Sequence, residues 1–108
     1  REAATQAVTT AKEILDLVQR DAELISSKTG RRAGNILRVH ELLKRKVLLD
    51  IGAIVREIGI SKPTAARALE QLEELGIVRE ITGQLRDRIF AYDQMLSILE
   101  KGTEPLPE

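Results

Sequence analysis

Apolar residues in the first quarter of the chain recur at Ala4, Val8, Ala11, Leu15, Val18, Ala22 and Ile25, in alternating steps of four and three. That spacing is a heptad seam. No Gly or Pro interrupts residues 3–28, so the stretch predicts one long helix lying along another helix. Lys12, Glu13, Asp16, Gln19, Arg20 and Glu23 fill most of the opposite side. Alanine at three seam positions lets helix axes approach closely but weakens a free-standing coiled coil. The seam formed by Val8, Ala11, Leu15, Val18, Ala22 and Ile25 is therefore read in two ways. Either it packs on the chain's own domain, or it meets a partner outside it.

Beyond a Gly-rich break at residues 26–34, a second helix is expected to run to about Lys44, burying Ile36, Leu37, Val39 or His40, and Leu43. Val47 to Leu49 suits a short strand, and Asp50 is placed to cap a third helix ending near Glu57. Gly59 permits the left-handed turn that follows. Ser61 is an N-cap residue and Pro63 sits in the first turn of a fourth helix, which buries Ala65, Ala68, Leu69 and Leu72 and stops at Gly76. "IVREI" and "DRIFAYD" read as strands joined through "TGQLR", a hairpin or wing. "DQMLSILEK" gives a last helix, and "GTEPLPE" reads as a disordered tail.

The expected fold is mainly α with a small β-hairpin: a winged helix-turn-helix preceded by a long N-terminal helix. Its divisions are a connecting helix at 1–30, the winged helix-turn-helix at 31–101 and the tail at 102–108.

Composition narrows the function. One Phe, one Tyr and abundant aliphatic residues suit a core packed between helices. Seventeen basic and seventeen acidic residues leave no net charge, so binding to nucleic acid must rest on local charge. The chain has no cysteine, which excludes disulfides and thiolate metal sites and fits the cytoplasm. No apolar run approaches the roughly 20 residues of a membrane span. The chain opens on Arg1 and is read as a piece of a longer protein.

Only residues 31–46 are strongly charged, with six basic groups against one acid. Arg31, Arg38 and Arg45 recur every seven residues and share a face if the whole stretch is helical. That face is either solvated or contacts phosphate or a partner's acidic patch, although in this fold such a helix usually lies behind the reading helix. On the fourth helix the outward positions are Lys62, Thr64, Ala66, Arg67, Glu70, Gln71 and Glu74. Lys62 and Arg67 suit phosphate or guanine, Thr64 phosphate, and Gln71 adenine, with Arg86 and Arg88 of the wing on the backbone. Lys62, Thr64, Arg67, Gln71, Arg86 and Arg88 are thus the candidate DNA-binding residues. Glu70, Glu73 and Glu74 oppose DNA, and from Ser61 to Tyr92 five basic and five acidic residues cancel.

The wording of this region carries a resemblance. Ser61, Pro63, Thr64 and Ala65, then Leu72, Leu75, Gly76, Ile77 and Glu80, then Thr82, Gly83, Arg86, Arg88, Phe90 and Tyr92 resemble the C-terminal winged-helix region of the Fic family (filamentation induced by cAMP). The likeness covers about two thirds of the chain, and the first helix resembles that family's connecting segment. It implies a parent protein that transfers AMP from a nucleotide to protein hydroxyls, with ATP and a divalent metal used by a catalytic domain outside this chain. The family's catalytic loop of a His, an acid and a Gly-Asn-Gly-Arg run does not occur here. The lone histidine, His40 in "RVHELL", is read as a helix-face or boundary residue. No catalytic, cofactor or metal residue is assigned, and this piece is not expected to be an enzyme. Its expected partners are duplex DNA, a second copy of the chain, or the absent Fic domain, and no membrane. The alternative to a regulatory or targeting DNA-binding module is an interaction or dimerisation module that positions the catalytic domain.

Overall fold

A computed structural model describes residues 2–103, with side chains placed for residues 5–102. Helix α1 spans Glu2–Thr29, and a single 3-10 turn, Gly30–Arg32, bends the chain into α2, Ala33–Lys46. Strand β1 (Leu48–Leu49), α3 (Ile51–Ile58), α4 (Lys62–Glu74), β2 (Arg79–Glu80), β3 (Phe90–Ala91) and α5 (Asp93–Thr103) complete it. The winged helix-turn-helix expected from the sequence is the fold observed.

The breaks fall where local chemistry sets them. The Asp50 carboxylate accepts the Ala53 N–H at 2.7 Å and starts α3. Gly59, at φ +80°, ends it and donates to the Val55 carbonyl at 3.0 Å. Ser61 Oγ accepts the Thr64 N–H at 3.3 Å, and Pro63 occupies the first turn of α4, where no amide hydrogen is needed. The predicted apolar face of α4, Ala65, Ala68, Leu69 and Leu72, is fully buried.

The three strands form one antiparallel sheet in the order β1-β3-β2. Leu48 and Leu49 pair with Ala91 and Phe90, whose other edge pairs with Arg79 and Glu80. The wing, residues 81–89, is thereby anchored through β3 to the chain leaving α2.

Three expectations need correction. Helix α2 runs to Lys46 rather than Lys44, and the chain reverses at Val47, φ +66°, a left-handed conformation that a β-branched residue rarely adopts. His40 is no boundary residue: it is 1% exposed, inside the core. Residues 102 and 103 belong to α5 instead of the tail, while 104–108 lie outside the described residues.

Helix α1 packs on α2 and α5. Its inward stripe is Ile14, Leu17, Asp21, Leu24 and Ile25, and Leu17 and Ile25 share the core of Leu42, Leu69 and Tyr92. The heptad seam is divided by this packing. Val8, Ala11 and Leu15 face solvent, Val18 and Ala22 are half-buried, and Ile25 is buried in the core. The Ala4 side chain lies outside the described set.

Candidate nucleic-acid interface

Helix α4 shows its N-terminal half to solvent, and two clefts run along its flanks. The first, of about 480 Å³, lies between the start of α3, the start of α4 and the wing. Arg56, Lys62, Arg86 and Arg88 line it, together with Asp50 and Asp87. Asp50 is occupied with capping α3, which offsets part of its charge against the helix N-terminus. The Arg88 guanidinium lies 5.3 Å from the centre of the Phe90 ring, which holds it at the base of the wing. Beside Arg86, Leu85 is 98% exposed at the wing tip.

The second cleft, of about 540 Å³, separates α4 from the 3-10 turn and the first turn of α2. Thr64, Arg67, Glu70 and Gln71 form one wall; Arg31, Arg32, Asn35 and Ile36 form the other. Three guanidiniums face one carboxylate.

The structure thus distributes the six candidate residues over both flanks. Lys62, Arg86 and Arg88 meet in the first cleft, and Thr64, Arg67 and Gln71 in the second. Lys62 and Arg67 are exposed; Thr64 and Gln71 are half-buried. The Thr64 hydroxyl accepts a hydrogen bond from Ser61 at 2.9 Å, leaving its own hydrogen to donate outward.

Several charges counted in the sequence are already engaged. Arg79 pairs with Asp93 at 3.2 Å and lines neither cleft. The Glu80 carboxylate accepts the Thr82 hydroxyl, the Thr82 N–H at 2.6 Å and the Gly83 N–H at 2.9 Å. Those bonds, the Thr82 hydroxyl foremost, hold its carboxyl below the usual range and brace the wing at Gly83, φ +67°. Glu73 accepts the Glu80 N–H at 3.3 Å and so faces β2. Of the acids that argue against DNA, Glu73 is engaged at β2, and Glu70 and Glu74 remain open on α4. The zero sum over residues 61–92 therefore conceals the basic flank at Lys62, Arg86 and Arg88, while the second flank owes its net charge to Arg31 and Arg32 outside that span.

Residues 31–81 match the family model of the IclR helix-turn-helix domain.

The matched span begins at the 3-10 turn and ends just after β2, so it takes in α2, α3 and α4. An IclR-type helix-turn-helix points to a DNA-binding winged-helix module rather than a catalytic one. No curated protein matches the chain. Among the described residues, no group of three or more His, Asp and Glu is placed to hold a metal ion, and no helix is long and apolar enough to cross a membrane.

Sequence reasoning missed Arg56, because nothing in "VREIG" signals that α3 brings it beside the wing. It also expected the basic segment to lie behind the reading helix. Two of its groups are engaged elsewhere: Arg38 donates to the Ile58 carbonyl at 3.0 Å and Lys44 pairs with Glu41 at 2.7 Å. Only the leading end, at Arg31 and Arg32, reaches the α4 flank.

Proposed function

We propose that this chain binds duplex DNA by placing the first two turns of α4 in the major groove, with the wing arginines on the sugar–phosphate backbone. The observation that carries this reading is the pair of basic clefts on either side of the exposed half of α4. Lys62 and Arg67 are positioned for phosphate or guanine edges, and Gln71 for adenine. Glu70 and Glu74 repel phosphate and limit insertion to the N-terminal half of the helix. A selection from random duplexes tests the reading. The wild type should enrich a site whose affinity falls with salt, and Lys62→Ala with Arg67→Ala should abolish the enrichment. No salt-sensitive binding to any duplex would overturn it.

We further propose that the module is a regulatory or targeting part of a larger Fic-type AMP-transferase. The support is the wording of α4 and the wing, from Ser61 to Tyr92. ATP and a divalent metal would then belong to a catalytic domain outside this chain, and the absence of cysteine fits the cytoplasm. An intact catalytic loop upstream in the parent gene would sustain this placement, and a gene without one would remove it.

A second reading is favoured by one observation. Val8 and Leu15 are 70% and 68% exposed on the seam of α1, an apolar stripe suited to a second copy of the chain or to a neighbouring domain. This association module and the DNA module are compatible, since winged helices that read two half-sites do so as dimers. Sedimentation at several concentrations tests the self-association.

A further inference from the structure

The second cleft contains more positive charge than α4 alone requires. Arg31 and Arg32 leave the 3-10 turn on the side facing α4, and both are exposed. Among the described residues neither side chain makes a hydrogen bond or an ion pair, and the Arg67 side chain across the cleft makes none. This sets them apart from Arg38, which caps α3, and from Lys44, which pairs with Glu41; Arg45 and Lys46 lie at the far end of α2 and line neither cleft. The placement depends on the 3-10 turn. Thr29 ends α1 with its hydroxyl bonded to the Ile25 carbonyl at 2.7 Å, and Gly30 at φ +55° starts the bend that carries the two arginines round to the cleft.

A duplex lying against α4 presents two phosphate backbones, one on each side of the groove that the helix enters. The first cleft supplies Arg56, Lys62, Arg86 and Arg88 to one of them. On the opposite side, among the described residues, the basic groups lining the cleft are Arg31, Arg32 and Arg67, with Asn35 as an uncharged donor in the same wall. Guanidinium groups without internal partners bind phosphate in forked geometry and carry no base information.

We propose that Arg31 and Arg32 form a second phosphate-binding site, gripping the DNA strand opposite the wing so that the duplex is held from both flanks of α4. The inference rests on the DNA-binding reading above and extends it to residues outside the reading helix and wing. It assigns the turn between α1 and α2 a positioning role, with base discrimination left to Lys62, Arg67 and Gln71.

The test is the salt dependence of binding, measured on the selected duplex and on an unrelated one. Each phosphate contact adds about 0.9 to the slope of log K against log salt. Arg31→Ala with Arg32→Ala should therefore lower the slope by about 2, and weaken binding roughly 60-fold at 0.1 M salt relative to its effect near 1 M. The loss should be equal on both duplexes. Both side chains are exposed, so the variant should retain the wild-type helical circular dichroism. Arg45→Ala, at the far end of α2, removes one charge away from the cleft and should leave the slope unchanged. An unchanged slope in the double variant, or an equal per-charge loss in Arg45→Ala, would overturn the site while leaving α4 as the reading element. Absence of binding by the wild type would overturn the DNA reading itself, and this site with it.

Discussion

The Tyr92 hydroxyl donates a 2.6 Å hydrogen bond to the carboxylate of Asp21, across 71 residues of sequence. Both are buried, and the same hydroxyl lies 3.0 Å from His40 Nε2. Having given its one hydrogen to Asp21, the hydroxyl accepts from His40, which places the histidine's proton on Nε2. One chain of polar atoms therefore ties α1, α2 and the start of α5 together inside an apolar core. Burial first, and then the Asp21 carboxylate, push the Tyr92 hydroxyl well above its usual pKa and keep it a donor.

Tyr92→Phe removes the central link and leaves a carboxylate and an imidazole N–H buried without it. The Arg20 guanidinium, 4.0 Å from Asp21 and largely exposed, compensates little. The expected loss is about 2–3 kcal/mol in urea denaturation. Asp21→Leu added to Tyr92→Phe should cost less than the two single changes combined, with a coupling of about 1 kcal/mol or more. Strict additivity would show that the three groups do not act as a network.

Acid should weaken the fold through His40. Burial is the main cause that lowers its pKa below the ordinary 6.5; Lys44 adds to the lowering, while Asp21 and Glu41 oppose it. With the folded value below the unfolded one, the unfolded chain binds the proton first. Stability from this residue is whole above pH 6.5 and is lost as the pH falls from there toward the folded pKa. Unfolding midpoints between pH 7.5 and 5 measure the effect, and His40→Gln should remove the component that begins near pH 6.5. An unchanged profile in His40→Gln would assign the loss to other groups.

Much of this architecture was legible in the chain, because caps, glycines and apolar periods are local. Asp50, Gly59, Ser61 and Gly76 each mark a break that depends on a few neighbouring atoms. The end of α2 was less legible, since its left-handed residue is Val47 and no glycine announces it. The buried face of α1 was only partly legible, for a different reason. Its strongest apolar period points partly to solvent, while the inward stripe includes Asp21, whose burial is tolerable only because Tyr92 lies opposite. The candidate site shows the same division. Lys62, Arg67, Arg86 and Arg88 follow from the motif, whereas Arg31, Arg32 and Arg56 become neighbours of α4 and the wing only through tertiary packing.

Helix α5 crosses α1 at a position where a methyl group does not fit. A Cβ on Gly102 would stand 2.7 Å from Thr10 Oγ1, 2.9 Å from its Cγ2 and 3.3 Å from its Cβ. Rotation of Thr10 moves the first two atoms but not the third. Gly102→Ala should therefore lower stability by about 1 kcal/mol or more, despite the better helix propensity of alanine. With Thr10→Ala in the background the penalty should shrink, because the two contacts under 3.0 Å are gone while the 3.3 Å approach to the residue 10 Cβ remains. Thermal unfolding of the four proteins in this cycle checks it, and a stabilising Gly102→Ala alone would contradict the close crossing.

The exposed seam of α1 gives the sharpest test of association. At 3.6 residues per turn, the stripe of Val8, Ala11 and Leu15 lies about a third of a turn from the buried stripe through Leu17 and Asp21. A charge at Leu15 therefore enters no internal contact of consequence. Leu15→Asp should change monomer stability by no more than about 0.5 kcal/mol. Leu17→Asp, two residues away but 3% exposed, should unfold the domain. If the stripe joins two copies, sedimentation equilibrium will show wild-type dimers that Leu15→Asp converts to folded monomers. The DNA readout should follow: a duplex with two half-sites about 34 Å apart loses affinity in Leu15→Asp, while a single half-site does not. A wild type that stays monomeric at high concentration, with Leu15→Asp indistinguishable from it on both duplexes, would remove the second copy as the seam's partner.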